Sequence, residues 1–203
     1  MKIGVVDYGM GNIHSLVGAV ERNIDCRTVI SYKYDELIVC DKLILPGVGH
    51  FNEAIKNIRD LKLEILISDF SKFKEKKVLG ICLGMQLLCE SSDEGGVLNS
   101  GLDLVPAKVR KFSPSKLPKP HIGFNQINIS RSDLLYHDIK NLTDFYFVHN
   151  HRVTSDKNIS QSICEYGEEF IASYSYNNIY GAQFHPELSQ VNGLKYLQNF
   201  LKL

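Results

Sequence analysis

Cys82 sits in Val78-Leu79-Gly80-Ile81-Cys82-Leu83-Gly84-Met85-Gln86. A short apolar run ends in a glycine, then a cysteine, then a second glycine, and a helical apolar pattern follows. That order of residue types writes a sharp strand-to-helix turn with a nucleophile exposed at its apex. Glycine on either side spares a strained backbone the clash of a Cβ. A helix beginning just after the sulfur aims unpaired N–H groups at it, which favours thiolate over thiol. The plainer reading is a small core residue on a buried strand, the common fate of a lone cysteine.

A second chemical segment lies far along the chain, at Tyr180-Gly181-Ala182-Gln183-Phe184-His185-Pro186-Glu187. A thiol nucleophile needs a base for its proton, and the base needs a third group to fix its tautomer. His185 and Glu187 are of the right types for these two tasks, and Pro186 biases His185 toward extended backbone. The alternatives are a structural histidine at a strand end, or a His-x-Glu metal ligand pair. A metal would recruit three or four convergent ligands, and the five cysteines (26, 40, 82, 89 and 164) are scattered without ligand spacing. No metal is expected.

Two glycine-bearing loops carry the remaining chemistry. Pro46-Gly47-Val48-Gly49 can turn backbone amides inward, toward the oxyanion that forms when a thiolate attacks an amide. A plain tight turn is the alternative. Asp7-Tyr8-Gly9-Met10-Gly11-Asn12 stands where a dinucleotide fold carries its phosphate loop. It lacks the third glycine and a suitably placed ribose-binding acid, so no nicotinamide cofactor is expected.

The elements that must hold these residues follow from periodicity. Residues 3–6, 26–30, 42–45 and 78–81 read as strands. Helices are expected from Asn12 to about Arg22, with Ile13, Leu16, Val17 and Val20 on one face, and over most of 51–66. Alternating strand and helix imply βαβ units and a parallel sheet covered on both sides. Beyond about Leu104 come short β runs at 107–112, 126–129, 145–148, 161–165, 171–176 and 179–184, an antiparallel or mixed extension. A last helix is expected over 193–202, with Leu194, Leu197, Phe200 and Leu201 inward. The Lys- and Pro-rich stretch 108–121 reads as a solvated connector rather than a phosphate-contacting loop. The fold class is thus α/β: an open, mostly parallel sheet flanked by helices, with a mixed extension. Ligands of such sheets gather at the C-terminal strand ends, where Cys82 and the Pro46–Gly49 loop both lie.

Composition agrees. The 203 residues suit a single domain over 1–203, and 44% hydrophobic with 23% charged residues is ordinary globular usage. Lys plus Arg equals Asp plus Glu at 23 each, so no field attracts nucleic acid or an anionic membrane. No apolar run nears the ~20 residues of a membrane span. The first strand is too short and too early cut by Asp7 for a signal peptide. Unpatterned cysteines, odd in number, fit a reducing cytoplasm.

Together, Gly80–Gln86 and Gln183–Glu187 resemble the class I, triad-type glutamine amidotransferases. The loops at Asp7–Asn12 and Pro46–Gly49, with Pro120-His121-Ile122-Gly123-Phe124-Asn125 and Phe145-Tyr146-Phe147-Val148-His149, resemble in order the blocks of the glutaminase subunits of imidazole glycerol phosphate synthases. The resemblance covers essentially the whole chain and implies a flavodoxin-like sheet. It implies a Cys82-His185-Glu187 triad that hydrolyses L-glutamine. It implies an oxyanion hole from Gly49 or its neighbour and Leu83. It also implies a substrate pocket including Gln86, Glu94, Asn150 and His151, and no cofactor. It further implies delivery of ammonia to a separate (β/α)8-barrel synthase subunit, the two forming a heterodimer with Asn12, Phe124 and Leu188 at the contact. Such a barrel typically takes ~250 residues, too many for this chain, so the chain is expected to be one subunit of a pair.

Three positions depart from the family pattern. Phe124 replaces a usual tryptophan, Leu188 a usual lysine and His151 a common tyrosine. Large aromatic and charged residues are typical interface anchors, so these changes fall where a partner is chosen. Two alternatives follow: a paralogous glutaminase feeding a related barrel synthase with another acceptor, such as a sugar to be amidinated, and a catalytically silent scaffold.

Overall fold

The computed structural model describes residues 1–22, 26–114, 117–129 and 133–203. Its strands are β1 (Lys2–Val6), β2 (Arg27–Ser31), β3 (Lys42–Leu45), β4 (Lys77–Ile81), β5 (Cys89–Ser92), β6 (Asn99–Ser100) and β7 (Val105–Lys111). They continue as β8 (His121–Asn128), β9 (Thr143–His149), β10 (His151–Thr154), β11 (Ser160–Glu165), β12 (Glu169–Tyr176) and β13 (Ile179–Ala182). The helices are α1 (Ile13–Glu21), α2 (Tyr34–Leu37), α3 (Phe51–Asp60), α4 (Leu63–Lys72), α5 (Leu83–Leu87) and α6 (Gln190–Lys202).

One part of the sheet is parallel, in the order β2-β1-β3-β4-β13. Its inner strands are short and mostly apolar, the composition of strands buried on both faces. The remainder is the mixed extension: β12 runs antiparallel to β13, followed by β10, β7, β5 and β6, while β11, β8 and β9 branch from β12 by antiparallel pairing. One face of the sheet is packed by α2, α3, α4 and α5 through Leu37, Phe51, Ile58, Leu66, Phe70 and Met85. The other is packed by α1 and α6 through Leu16, Val20, Tyr196, Leu197 and Phe200. The layers are those expected of a doubly covered α/β sheet.

Several elements differ from the sequence expectation. The single helix expected over 51–66 is two, because Leu61 caps α3 and Lys62 takes φ 57, ψ 24, a left-handed geometry that interrupts the helical bonding before α4. Periodicity could not show this, since Leu63, Leu66 and Ile67 continue an apolar pattern across the break. The helix after Cys82 has only five residues, so its aligned peptide dipoles are fewer than a full helix supplies. Strands β5, β6 and β10 are additions to the expected set; they carry Cys-Glu-Ser-Ser, Asn-Ser and His-Arg-Val-Thr, too short or too polar for a period to show. The 108–121 connector gives its ends to β7 and β8, and Lys119 Nζ donates to the Phe112 carbonyl at 3.1 Å; Ser115 and Lys116 lie outside the described residues. No described helix is long and apolar enough to cross a membrane.

Candidate active site

The parallel pairing of β4 with β13 sets Gly80 and Ile81 beside Gly181 and Ala182. The two chemical segments of the sequence therefore leave the sheet side by side. The Cys82 N–H donates to the Ala182 carbonyl at 2.7 Å, and Cys82 itself adopts φ 51, ψ −107. That is a strained geometry for a residue with a Cβ, of the kind found where a nucleophile is presented. The strain falls on the cysteine rather than on its glycines. Gly84 is required by close approach: a Cβ there would lie 1.9 Å from the Leu45 carbonyl oxygen. Backbone packed this tightly behind the turn holds the sulfur in place from the rear.

His185 and Glu187 follow β13 in a short 3-10 turn, with only 4% and 5% of their side chains exposed. His185 Nδ1 meets Glu187 Oε1 at 2.8 Å. An ionised carboxylate only accepts, so Nδ1 carries the hydrogen. His185 Nε2 is buried without a well-formed hydrogen bond, and the ring's other interaction is with the Cys82 side chain. Burial pulls the His185 pKa down, but the charge and hydrogen bonding of Cys82, joined by Glu187, outweigh it and push it up to about 10. The thiol, imidazole and carboxylate of the sequence are brought together in that order. Among the described residues, no group of three or more His, Cys, Asp and Glu is arranged to hold a metal ion.

In front of the sulfur lies a cleft of about 300 Å³ lined by Val48, Gly49, His50, Cys82, Leu83, Gln86, Glu94, Pro120, Val148, His149, Asn150 and His151. Every residue expected to contact substrate or oxyanion is among them. Gly49 has φ +114, open to glycine but costly for other residues. Gln86 is buried, and its Nε2 donates both to the His151 carbonyl at 3.2 Å and to Gln183 Oε1 at 2.9 Å. Its Oε1 remains as the polar atom available to the cleft. Glu94 Oε2 accepts from the Phe51 N–H at 2.8 Å, while Oε1 lies 3.3 Å from His50 Nδ1 and 3.6 Å from His151 Nδ1. The carboxylate is thereby fixed at the wall of the cleft.

The three residues expected at a partner contact lie on the surface. Asn12 caps α1, its side chain accepting from the Ser15 N–H at 3.4 Å. Phe124 is half exposed and meets Tyr146 edge-on at 5.4 Å between ring centres. Leu188 is exposed just past Glu187.

Several residues at the site escape sequence reasoning. Tyr8, fully buried, donates its hydroxyl to the Pro46 carbonyl at 2.7 Å and so braces the Pro46–Gly49 loop. Gln183 reaches the sulfur, its Nε2 3.6 Å from Cys82 Sγ. His121 Nδ1 and His149 Nε2 lie 3.0 Å apart in the interior, and His149 Nδ1 is 2.7 Å from the His151 carbonyl. Burial drives their pKa values down, to about 4 and about 3. Tyr8, Gln183, His121 and His149 all lie inside the motifs of the sequence, so a signal existed. Their contacts arise only through strand pairing.

A family model described as glutamine amidotransferase class-I matches residues 4–203. The chain is 42% identical over 202 residues to the imidazole glycerol phosphate synthase subunit HisH 2 of Vibrio vulnificus, covering 99% of this chain and 94% of that protein. It is 41% identical over 204 residues to the subunit HisH of Methanocaldococcus jannaschii, covering 99% of each. Among solved structures, one described as a glutamine amidotransferase aligns with a TM-score of 0.74 at 16% identity, covering 99% of both chains. A glutamine amidotransferase from Thermotoga maritima aligns with a TM-score of 0.63 at 14% identity, covering 100% of this chain and 83% of that one. These two share the fold. The chain belongs to the class I glutamine amidotransferases, within the branch of imidazole glycerol phosphate synthase HisH subunits.

Proposed function

We propose that this chain, acting over 1–203 as one amidotransferase domain, hydrolyses the side-chain amide of L-glutamine. Its ammonia then passes to a (β/α)8-barrel synthase subunit that forms imidazole glycerol phosphate for histidine biosynthesis in the cytoplasm. The observation that carries the reading is the strained Cys82 beside the buried His185–Glu187 pair. Cys82 sulfur attacks the carboxamide carbon, and the carbonyl oxygen takes up negative charge facing the Gly49 loop and the Leu83 N–H. His185 gives its proton to the departing nitrogen, leaving a thioester and ammonia. His185 then takes a proton from water as the hydroxyl adds, and glutamate leaves with the thiol restored. Glu187 keeps the imidazole in the tautomer that presents Nε2 to the sulfur. Gln86, Glu94, Asn150 and His151 recognise the amino-acid end, Glu94 providing the negative charge that an ammonium group needs.

The partner is assigned to the surface formed by Asn12, Phe124 and Leu188. Across the β8–β9 pair, Ile122 faces Val148 and Phe124 faces Tyr146, and this outward row is apolar and partly exposed. A barrel subunit seated there makes the assembly a heterodimer whose lyase chemistry lies in the barrel.

A second acceptor is favoured by a specific observation. Phe124, His151 and Leu188 depart from the family pattern where the partner and cleft are read, and two relatives carry copy numbers, HisH 2 in Vibrio vulnificus and HisH 1 in Campylobacter jejuni. A paralogous glutaminase serving a related barrel would share the chemistry and differ in acceptor. The deciding experiment measures glutamate release by the chain with and without the co-purified barrel subunit, then turnover of the histidine intermediate by the pair. Glutamine-dependent turnover of that intermediate establishes the histidine reading. Glutamate release without it points to the other acceptor. Activity equal to that of Cys82→Ser under all conditions leaves only a scaffold.

A further inference from the structure

The sulfur of Cys82 has a neighbour that the triad does not account for. Gln183 is wholly buried, and it stands one residue past the end of β13, where the register with β4 brings it against the nucleophile. Its Nε2 lies 3.6 Å from Cys82 Sγ. A carboxamide's oxygen and nitrogen are told apart by the groups around them, and here the surroundings decide.

The deciding atom is the His151 carbonyl oxygen, which can only accept. It receives His149 Nδ1 at 2.7 Å and the Gln86 carboxamide at 3.2 Å. Gln86 must therefore present its NH2 group. The same nitrogen lies 2.9 Å from the Gln183 carboxamide, which must answer with its oxygen. That leaves the Gln183 nitrogen facing the sulfur as a donor. The histidines behind the carbonyl follow the same polarity. Burial keeps both rings neutral, so His149 with a hydrogen on Nδ1 accepts at Nε2, and His121 Nδ1 is the donor 3.0 Å away. Every donor in the row is set by one backbone carbonyl, and the row ends on the reacting atom.

We propose that Gln183 is an auxiliary donor to the nucleophile, its carboxamide oriented by Gln86 and the His151 carbonyl so that one N–H holds the Cys82 sulfur as a thiolate and fixes its direction. This rests on the reading of Cys82 as nucleophile and deepens it. Hydrogen bonds to a charged acceptor are stronger than those to a neutral one, so the donor favours thiolate over thiol. The other groups facing the sulfur are the His185 imidazole, the Tyr8 phenol, which burial keeps protonated, and the Val148 carbonyl oxygen at 3.8 Å, which can only accept. Gln183 thus adds a neutral donor beside the imidazole.

The test reads the sulfur directly. Alkylation of Cys82 by iodoacetamide is followed against pH in the full chain, by mass spectrometry of the Cys82 peptide, for the wild type, Gln183→Met and Gln183→Glu. Loss of the donor in Gln183→Met moves the midpoint of the alkylation profile up by about one pH unit, and a carboxylate in Gln183→Glu moves it further. A Gln86→Met chain, which frees Gln183 to rotate, shifts the midpoint in the same direction by less, and stands in if either Gln183 variant fails to fold. Profiles of the folded variants that overlay the wild type overturn the proposal. The readout needs no glutamine, so it is separate from the failure of the glutaminase reading, which would appear as glutamate release undiminished in Cys82→Ser.

Discussion

The buried site and the exposed β8–β9 face are built from the same sheet by opposite means. Around Cys82 each group is fixed by at least one other: Gly84 lies against the Leu45 carbonyl, Tyr8 braces Pro46, Glu187 holds His185, and Gln86 holds Gln183. On the outward face Ile122, Phe124, Val148 and Leu188 have few such ties, and Ile122 is 58% exposed. Contiguous exposed apolar surface of this kind marks an interaction site. The contrast teaches that chemistry is overdetermined by packing within the chain, whereas the choice of partner is left to side chains that the chain's own fold does not constrain. Of the three departures from the family pattern, Phe124 and Leu188 fall on the second kind of position, His151 stands in the wall of the cleft, and the triad carries none.

The sharpest way to break this contrast is to remove the nucleophile. Cys82→Ser should lower glutamate release at least a thousandfold, since loss of a single nucleophile costs nearly as much as loss of the whole constellation; a coupled glutamate dehydrogenase assay on the chain with its partner measures it. Activity within tenfold of the wild type would sink the assignment. Glu187→Gln should cost on the order of a hundredfold or more in kcat by releasing the imidazole from its tautomer, and it should also change the pH profile. In the wild type the raised His185 pKa keeps the ring charged through neutral pH. The stability this contributes is complete below about 6.5, the usual histidine value, and is lost as pH rises through about 10. Removing the carboxylate lowers that pKa, so the alkaline limb of kcat should move to lower pH. A limb that stays in place would show that Glu187 does not hold the charge.

Packing is probed next. Gly84→Ala drives a methyl group into the Leu45 carbonyl and should cost about 3 kcal/mol of stability, or prevent folding, by urea denaturation. A loss under about 1 kcal/mol would mean that the backbone behind the nucleophile yields easily. The smallest intrinsic effect belongs to the outward face. Phe124→Asp should change stability by no more than about 0.5 kcal/mol, as for most exposed substitutions, yet weaken partner binding at least tenfold by calorimetry. Equal loss of both would erase the distinction between the two regions.

Much of this was legible in the residues. Gly80–Gly84 with His185-Pro186-Glu187 announces a nucleophile, a base and its orienting acid, because tight turns and extended proline neighbours write themselves locally. Strands β1 to β4 of the parallel part were legible too, the inner ones by their mostly apolar residues, whereas β13 was read into the mixed extension because its parallel pairing with β4 joins segments about a hundred residues apart. The break at Lys62 was not, because the pattern of Leu63, Leu66 and Ile67 carries on unaltered while one residue turns left-handed. Strands β5 and β10 gain their structure from partners: Ser91 and Ser92 pair with β7, and His151–Thr154 with the same strand from its other side. Gln183 and the His121–His149 pair were visible as residue types inside recognised blocks. Their roles depend on which strands become neighbours, and no periodicity encodes that.

Val148 belongs to both regions at once. Its side chain joins Ile122 on the outward row, while its carbonyl oxygen stands 3.8 Å from the Cys82 sulfur. A single peptide unit is all that divides the reaction from whatever leans on the outside of that strand. A partner seated on that row, as proposed above, would bear on the same peptide unit whose carbonyl oxygen faces the sulfur.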